Sequence, residues 1–111
     1  MSTIDLDVVT NKGEVKNLAG KPRGEAARKH FDVDALDAGS DAVTVKVPDY
    51  IYAISSSFFL GLFSRSVLKF GSADAFLGHY RFQADDSVMR QVLHAIDRCL
   101  ITRGDFTPVS A

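Results

Sequence analysis

A chain of 111 residues with 46% hydrophobic residues can bury one core without help from disulfides or a structural metal. Its formal net charge of −1 gives neither nucleic acid nor an anionic membrane surface an electrostatic claim on it, so neither is expected as a partner. Cys99 is the single cysteine, no basic–apolar leader opens the chain, and Arg65 and Lys69 interrupt the longest apolar run. A cytoplasmic protein is expected, with residues 1–111 as one domain and residues 1–19 as an N-terminal hairpin.

Ile4, Leu6 and Val8 alternate with Asp5 and Asp7, the period of a half-buried strand. Asn11-Lys12-Gly13 tolerates positive φ and predicts a hairpin to a short strand over residues 14–18. Gly20-Lys21-Pro22 ends that strand, and Pro22 suits the first turn of a helix reaching Phe31 or continuing to Leu36. Lys21, Arg23, Arg28 and Lys29, interrupted by Glu25, read as a solvated face of this helix. A turn over residues 37–41 leads to Val43, Val45 and Val47, which alternate with Thr44 and Lys46 as a strand. Pro48-Asp49 interrupts it, so residues 51–54 are either a continuation beyond a bend or a separate piece. After Ser55-Ser56-Ser57 a strongly apolar helix runs to about Phe70 and stops at Gly71. Residues 73–77 form a short helical turn, and residues 79–83 a strand with Tyr80 and Phe82 on one face. Asp85-Asp86-Ser87 opens the last helix, which buries Val88, Val92, Ile96 and Cys99 and pairs Asp86 with Arg90. Residues 107–111 form a frayed tail. Strands separated by helices predict an α/β fold, a mixed sheet of about four strands with three helices and right-handed crossovers.

The chemistry concentrates at residues 55–59, where a strand ends in three hydroxyls and a helix begins. Such a junction can be a plain N-cap, a small-anion or nucleotide site on the free N–H groups of the helix, or a phosphorylation switch. Ser57, Gly61 and Ser64 form a small-residue stripe that reads as close packing of this helix on the sheet. Phe58, Phe59, Leu62, Phe63 and Val67 surround the stripe, and a helix so apolar needs cover on more than one side, from the chain itself, a protein partner or a homodimer. His30, Asp32 and Asp34 converge on a metal only if the backbone is extended there, and His79 and His94 lack companions at ligand spacing. No metal and no cofactor are expected. No nucleophile elbow, phosphate loop or dinucleotide fingerprint is present, so the chain is expected to be non-enzymatic, with no catalytic residues.

Three segments, in this order and spacing, carry a family likeness: Arg23-Gly24-Glu25-Ala26-Ala27; the strand at 43–47 leading to Ile54-Ser55-Ser56-Ser57-Phe58-Phe59; and the strand at 80–83 followed by Ala84-Asp85-Asp86 and the helix at 88–100. Over roughly residues 20–102 the chain resembles the STAS-like family of bacterial proteins (the DUF4325 type), and more distantly the STAS domains of anti-sigma-factor antagonists. In those antagonists the junction reads Asp-Ser-Ser-Gly or close to it. A partner kinase phosphorylates the first serine after the aspartate, which releases the anti-sigma partner. Laid on this chain, Ser55 takes the aspartate position, Ser56 the phospho-acceptor position, Ser57 the next hydroxyl and Phe58 the glycine. The resemblance therefore implies a regulatory interaction module with a kinase-like or sigma-regulator partner. Ser56 would be its phosphorylation candidate, and Ser55, Ser57, Phe58 and Phe59 its helix N-terminus and partner contact.

Overall fold

The computed structural model describes residues 2–10 and 17–104. The predicted turn at residues 11–13, the start of the strand expected from residue 14 and the frayed tail lie outside the described residues. The α/β fold stands, with five short strands and five α-helices where about four and three were expected. Every strand pairing among the described residues is parallel, so the sheet is not mixed in direction.

Strand β1 covers Ser2–Asp5 and ends earlier than its alternating pattern predicts. The Asp5 carboxylate accepts the Asp7 N–H at 3.0 Å and turns the chain into a 3-10 helix over Leu6–Val9. Leu6 stays buried, whereas Val8 is 58% exposed. β2, Asn17–Leu18, does not complete a hairpin with β1 among the described residues; it pairs in parallel with β4, Ala53–Ile54. Residues 51–54 are thus a separate piece.

Helix α1 covers Lys21–His30 with proline in its first turn. It stops because Asp32 adopts the left-handed conformation at φ 52°, a region aspartate tolerates, and the chain restarts as α2, Val33–Ala38. β3, Val43–Lys46, is the middle strand of a three-stranded sheet ordered β1-β3-β5, with β5 at Tyr80–Gln83. Its register sets Ile4 beside Val45 and Val45 beside Phe82. Parallel neighbours need long crossovers, and helices supply both.

Helix α3, Ser56–Phe70, carries the core. Phe58, Phe59, Leu62, Phe63 and Val67 are each at most 2% exposed. Phe59, Phe63, Phe76 and Tyr80 form an aromatic cluster, with the Phe63 ring 5.0 Å from Tyr80 and 5.3 Å from Phe76. The cover that such an apolar helix demands comes from within the chain: α1 lies on one side of α3, and α5, Asp86–Gly104, packs on it as well. The small-residue stripe serves α1 rather than the sheet. A Cβ on Gly24 would overlap the Phe58 carbonyl oxygen, and one on Gly61 would overlap the Lys21 carbonyl oxygen, so the two helices cross backbone to backbone at a glycine pair.

Helix α4, Ala73–His79, is capped by Ser72, whose Oγ accepts the Ala75 N–H at 3.1 Å. His79 closes this helix rather than opening the strand; its Nε2 is 2.8 Å from the Leu36 carbonyl oxygen and its ring stacks on Phe70. Asp85 caps α5 by accepting the Val88 N–H at 2.8 Å. The buried face of α5 is the expected one, Val88, Val92, Ile96 and Cys99. Burial pushes the Cys99 thiol up to about 11, which keeps it protonated and unreactive near neutrality. No described helix is long and apolar enough to cross a membrane.

Candidate functional site

The junction is built where β4 hands over to α3. The Ser55 N–H donates to the Leu18 carbonyl at 2.8 Å, which ties the end of β4 to β2. Ser55 is the N-cap of α3: its backbone is extended, at φ −72° and ψ 156°, and its Oγ accepts the Phe58 N–H at 3.1 Å. The Ser57 Oγ lies 3.0 Å from the Ser55 Oγ and accepts the Gly20 N–H at 3.3 Å. Two of the three hydroxyls are therefore committed to local structure. The Ser56 hydroxyl has no hydrogen-bond partner among the described residues.

This division of labour gives an expected result. Ser55→Ala should cost about 1 kcal/mol of stability, whereas Ser56→Ala should stay within about 0.5 kcal/mol of the parent. Urea unfolding of both variants checks it, and equal losses at the two positions would contradict the cap assignment.

Phe58 and Phe59 do not offer a partner contact, because their rings are 1% and 2% exposed and belong to the core. The surface of the junction is made by the serines and by side chains from elsewhere. Ser55 and Ser56 line a groove of about 600 Å³ with Asn17, Ala53, Ile54, Ser87, Arg90, Gln91 and His94. Helix α5 forms one wall and is fastened to β4 by Gln91, whose Oε1 accepts the Ile54 N–H at 2.7 Å. The sequence places Arg90, Gln91 and His94 off the buried face of α5, but nothing local says that this polar face looks onto the serines. Arg90 makes no ion pair among the described residues, so the expected pairing with Asp86 is not formed.

A second groove, of about 660 Å³, lies beyond the carboxyl ends of β1, β3 and β5, a common ligand position in parallel sheets. Asp5, Asp7, Asp49 and Asp85 line it with Lys46. Asp5 and Asp85 already accept backbone N–H groups, and Asp7 accepts the Tyr50 hydroxyl. Asp5, Asp7 and Asp85 therefore close local structure. No group of three or more His, Cys, Asp or Glu among the described residues could hold a metal, and the region at His30, Asp32 and Asp34 is a helix break.

The most strongly polar arrangement in the molecule lies where the sequence reads as solvated surface. Arg28 is 8% exposed, not part of a solvated face. Its guanidinium donates to the Leu62 carbonyl at 2.9 Å, to the Ser66 Oγ at 3.0 Å, to Asp34 at 2.6 Å and to Asp37 at 2.8 Å. Asp37 also accepts the Ser66 hydroxyl at 2.9 Å and the Tyr80 hydroxyl at 2.6 Å. Burial alone would lower the Arg28 guanidinium, but its bonds to Asp34 and Asp37 outweigh this and hold it above its ordinary value. Burial, then the bond to Asp37, pushes the Tyr80 hydroxyl up. No buried side-chain nitrogen or oxygen among the described residues lacks a partner, so this network is closed on itself and joins α1, α2, α3 and β5. Its buried polar atoms are all spent within the fold, and Asp34, 70% exposed, is where it meets solvent. Comparison with family models, with characterised proteins and with solved structures finds no match for this chain.

Proposed function

We propose that this protein is a non-enzymatic regulatory module of the STAS-like type, which contacts a protein partner at the serine junction and is switched by phosphorylation of Ser56. One observation carries the reading. Of three adjacent hydroxyls, the one aligned with the family's phospho-acceptor is the one that caps nothing and lines an open groove. Modifying Ser55 or Ser57 would remove bonds to the Phe58 and Gly20 N–H groups; modifying Ser56 removes none. A phosphate there adds a charge of about −1.5 to −2 at the first turn of α3, where a helix favours an anion. The folded state tolerates the change while a docked surface does not. The partner is of the kinase-like or sigma-regulator kind that the resemblance implies.

Affinity capture from the source cells, followed by phosphosite mapping, tests this. Phosphate is expected on Ser56 and absent from Ser55 and Ser57. Ser56→Asp should weaken capture of the partner at least about tenfold, a loss of about 1.4 kcal/mol, with Ser56→Ala retained. An unmodified junction together with partner binding indifferent to Ser56→Asp would sink the switch.

A further inference from the structure

We infer that Arg90 and His94 form an intramolecular receptor for a phosphate on Ser56, so that modification turns the cationic wall of the groove inward on the protein's own phosphoserine. The inference rests on the switch reading above. Three features carry it, none of which is the helix end itself.

First, Arg90 and His94 are one turn apart on the exposed side of α5, and both line the groove that holds Ser56. Secondly, neither is engaged: among the described residues Arg90 and His94 make no hydrogen bond or ion pair. Thirdly, among the described residues the groove is lined by no carboxylate, its other lining residues being Asn17, Ala53, Ile54, Ser55, Ser87 and Gln91. A dianion placed there meets a guanidinium and hydrogen-bond donors, with no carboxylate among the described lining residues. The Gln91 bond to Ile54 holds the α5 wall against the strand that delivers Ser56, so little chain has to be ordered for the two sides to meet. A guanidinium offers the fork geometry that phosphate oxygens accept in pairs.

The modification then does two things at once. It adds negative charge at the junction, and it occupies Arg90 and His94, which an approaching partner would otherwise meet. Without modification Arg90 and His94 face solvent; with it they are engaged.

Phosphoserine installed at position 56 by genetic encoding tests the capture without any kinase. The phosphate's second ionisation, followed by phosphorus NMR, is expected about one unit below that of an unfolded phosphoserine peptide near 6. Arg90→Ala should return most of that shift, His94→Ala a smaller part, and Arg90→Lys should restore part of it. Both side chains are exposed, so the unphosphorylated variants should unfold at the parent's urea midpoint. An unshifted phosphate in the parent overturns the inference. A shift that survives in the double variant also overturns it, because the phosphate would then be held by the helix N–H groups. Either failure leaves the switch itself standing, and a kinase that ignores Ser56 leaves the capture measurable.

Discussion

Asp37→Ala is expected to be among the most destabilising single substitutions in this protein, costing about 3–5 kcal/mol. The reason is the company Asp37 keeps. It accepts from Arg28, Ser66 and Tyr80, all buried, and its loss strands three donors together with part of a buried positive charge. Asp34 cannot take over, because its carboxylate already accepts from Arg28 and its side chain is 70% exposed. Asp37→Asn should lose less, since an amide oxygen still accepts from one donor. Tyr80→Phe should lose less again, since Arg28 and Ser66 still satisfy the carboxylate. A chain of this size has a total stability of about 5–15 kcal/mol, so Asp37→Ala should be marginally folded at room temperature. Urea titration with an unchanged slope checks the order; an Asp37→Ala midpoint within error of the parent would remove the network from any account of the fold.

The same network has a direction in pH. The hydrogen bond from Arg28, then its charge, hold the Asp34 carboxyl below the usual carboxylate range. A depressed acid stabilises the fold above its unfolded value and loses that contribution as pH falls through its folded value. Acidification should therefore loosen the α2 side of the network.

The second large effect is expected at the crossing of α1 and α3. Gly61→Ala would overlap the Lys21 carbonyl oxygen and place the new carbon 2.8 Å from the Glu25 nitrogen. Both obstacles are backbone, so the strain cannot be relieved by a rotamer change; the helices must separate, and every contact along their seam weakens. A loss of about 3 kcal/mol or more is expected, against a gain of about 1 kcal/mol from helix propensity. Gly78→Ala is the control, because it lies in α4 with nothing within 4 Å of the methyl carbon it would add. It should be neutral or stabilising. Equal behaviour of the two variants in thermal melts would show that the crossing is loosely packed.

Much of the architecture is legible in the sequence because its causes lie within a few residues of each other. The Ser55 hydroxyl and the Phe58 N–H it caps are three positions apart, and Gly71 ends α3 in the left-handed conformation expected of it, at φ 83°. The buried face of α5 follows from the helical period alone. The departures from expectation are local too, but turn on competition. Asp5 captures the Asp7 N–H and ends β1 where the alternation of Leu6 and Val8 predicts more strand, and Asp32 accepts a left-handed backbone that splits one expected helix into two.

The serine junction shows where that reach ends. Its place between strand and helix follows from the sequence. Which hydroxyl is free does not, because Ser57 is engaged by Gly20, 37 positions away. Nor does the facing of Arg90 and His94 onto Ser56, which depends on how α5 packs against β4. Arg28 makes the same point in the core: beside Lys29 in sequence it reads as surface, and only the convergence of residues 37, 66 and 80 makes burial of its charge tolerable. Periodicity, caps and turn chemistry act over a few residues and can be read along the chain; the pairing of buried charges and the composition of a groove are set by long-range packing, and the tertiary structure decided both.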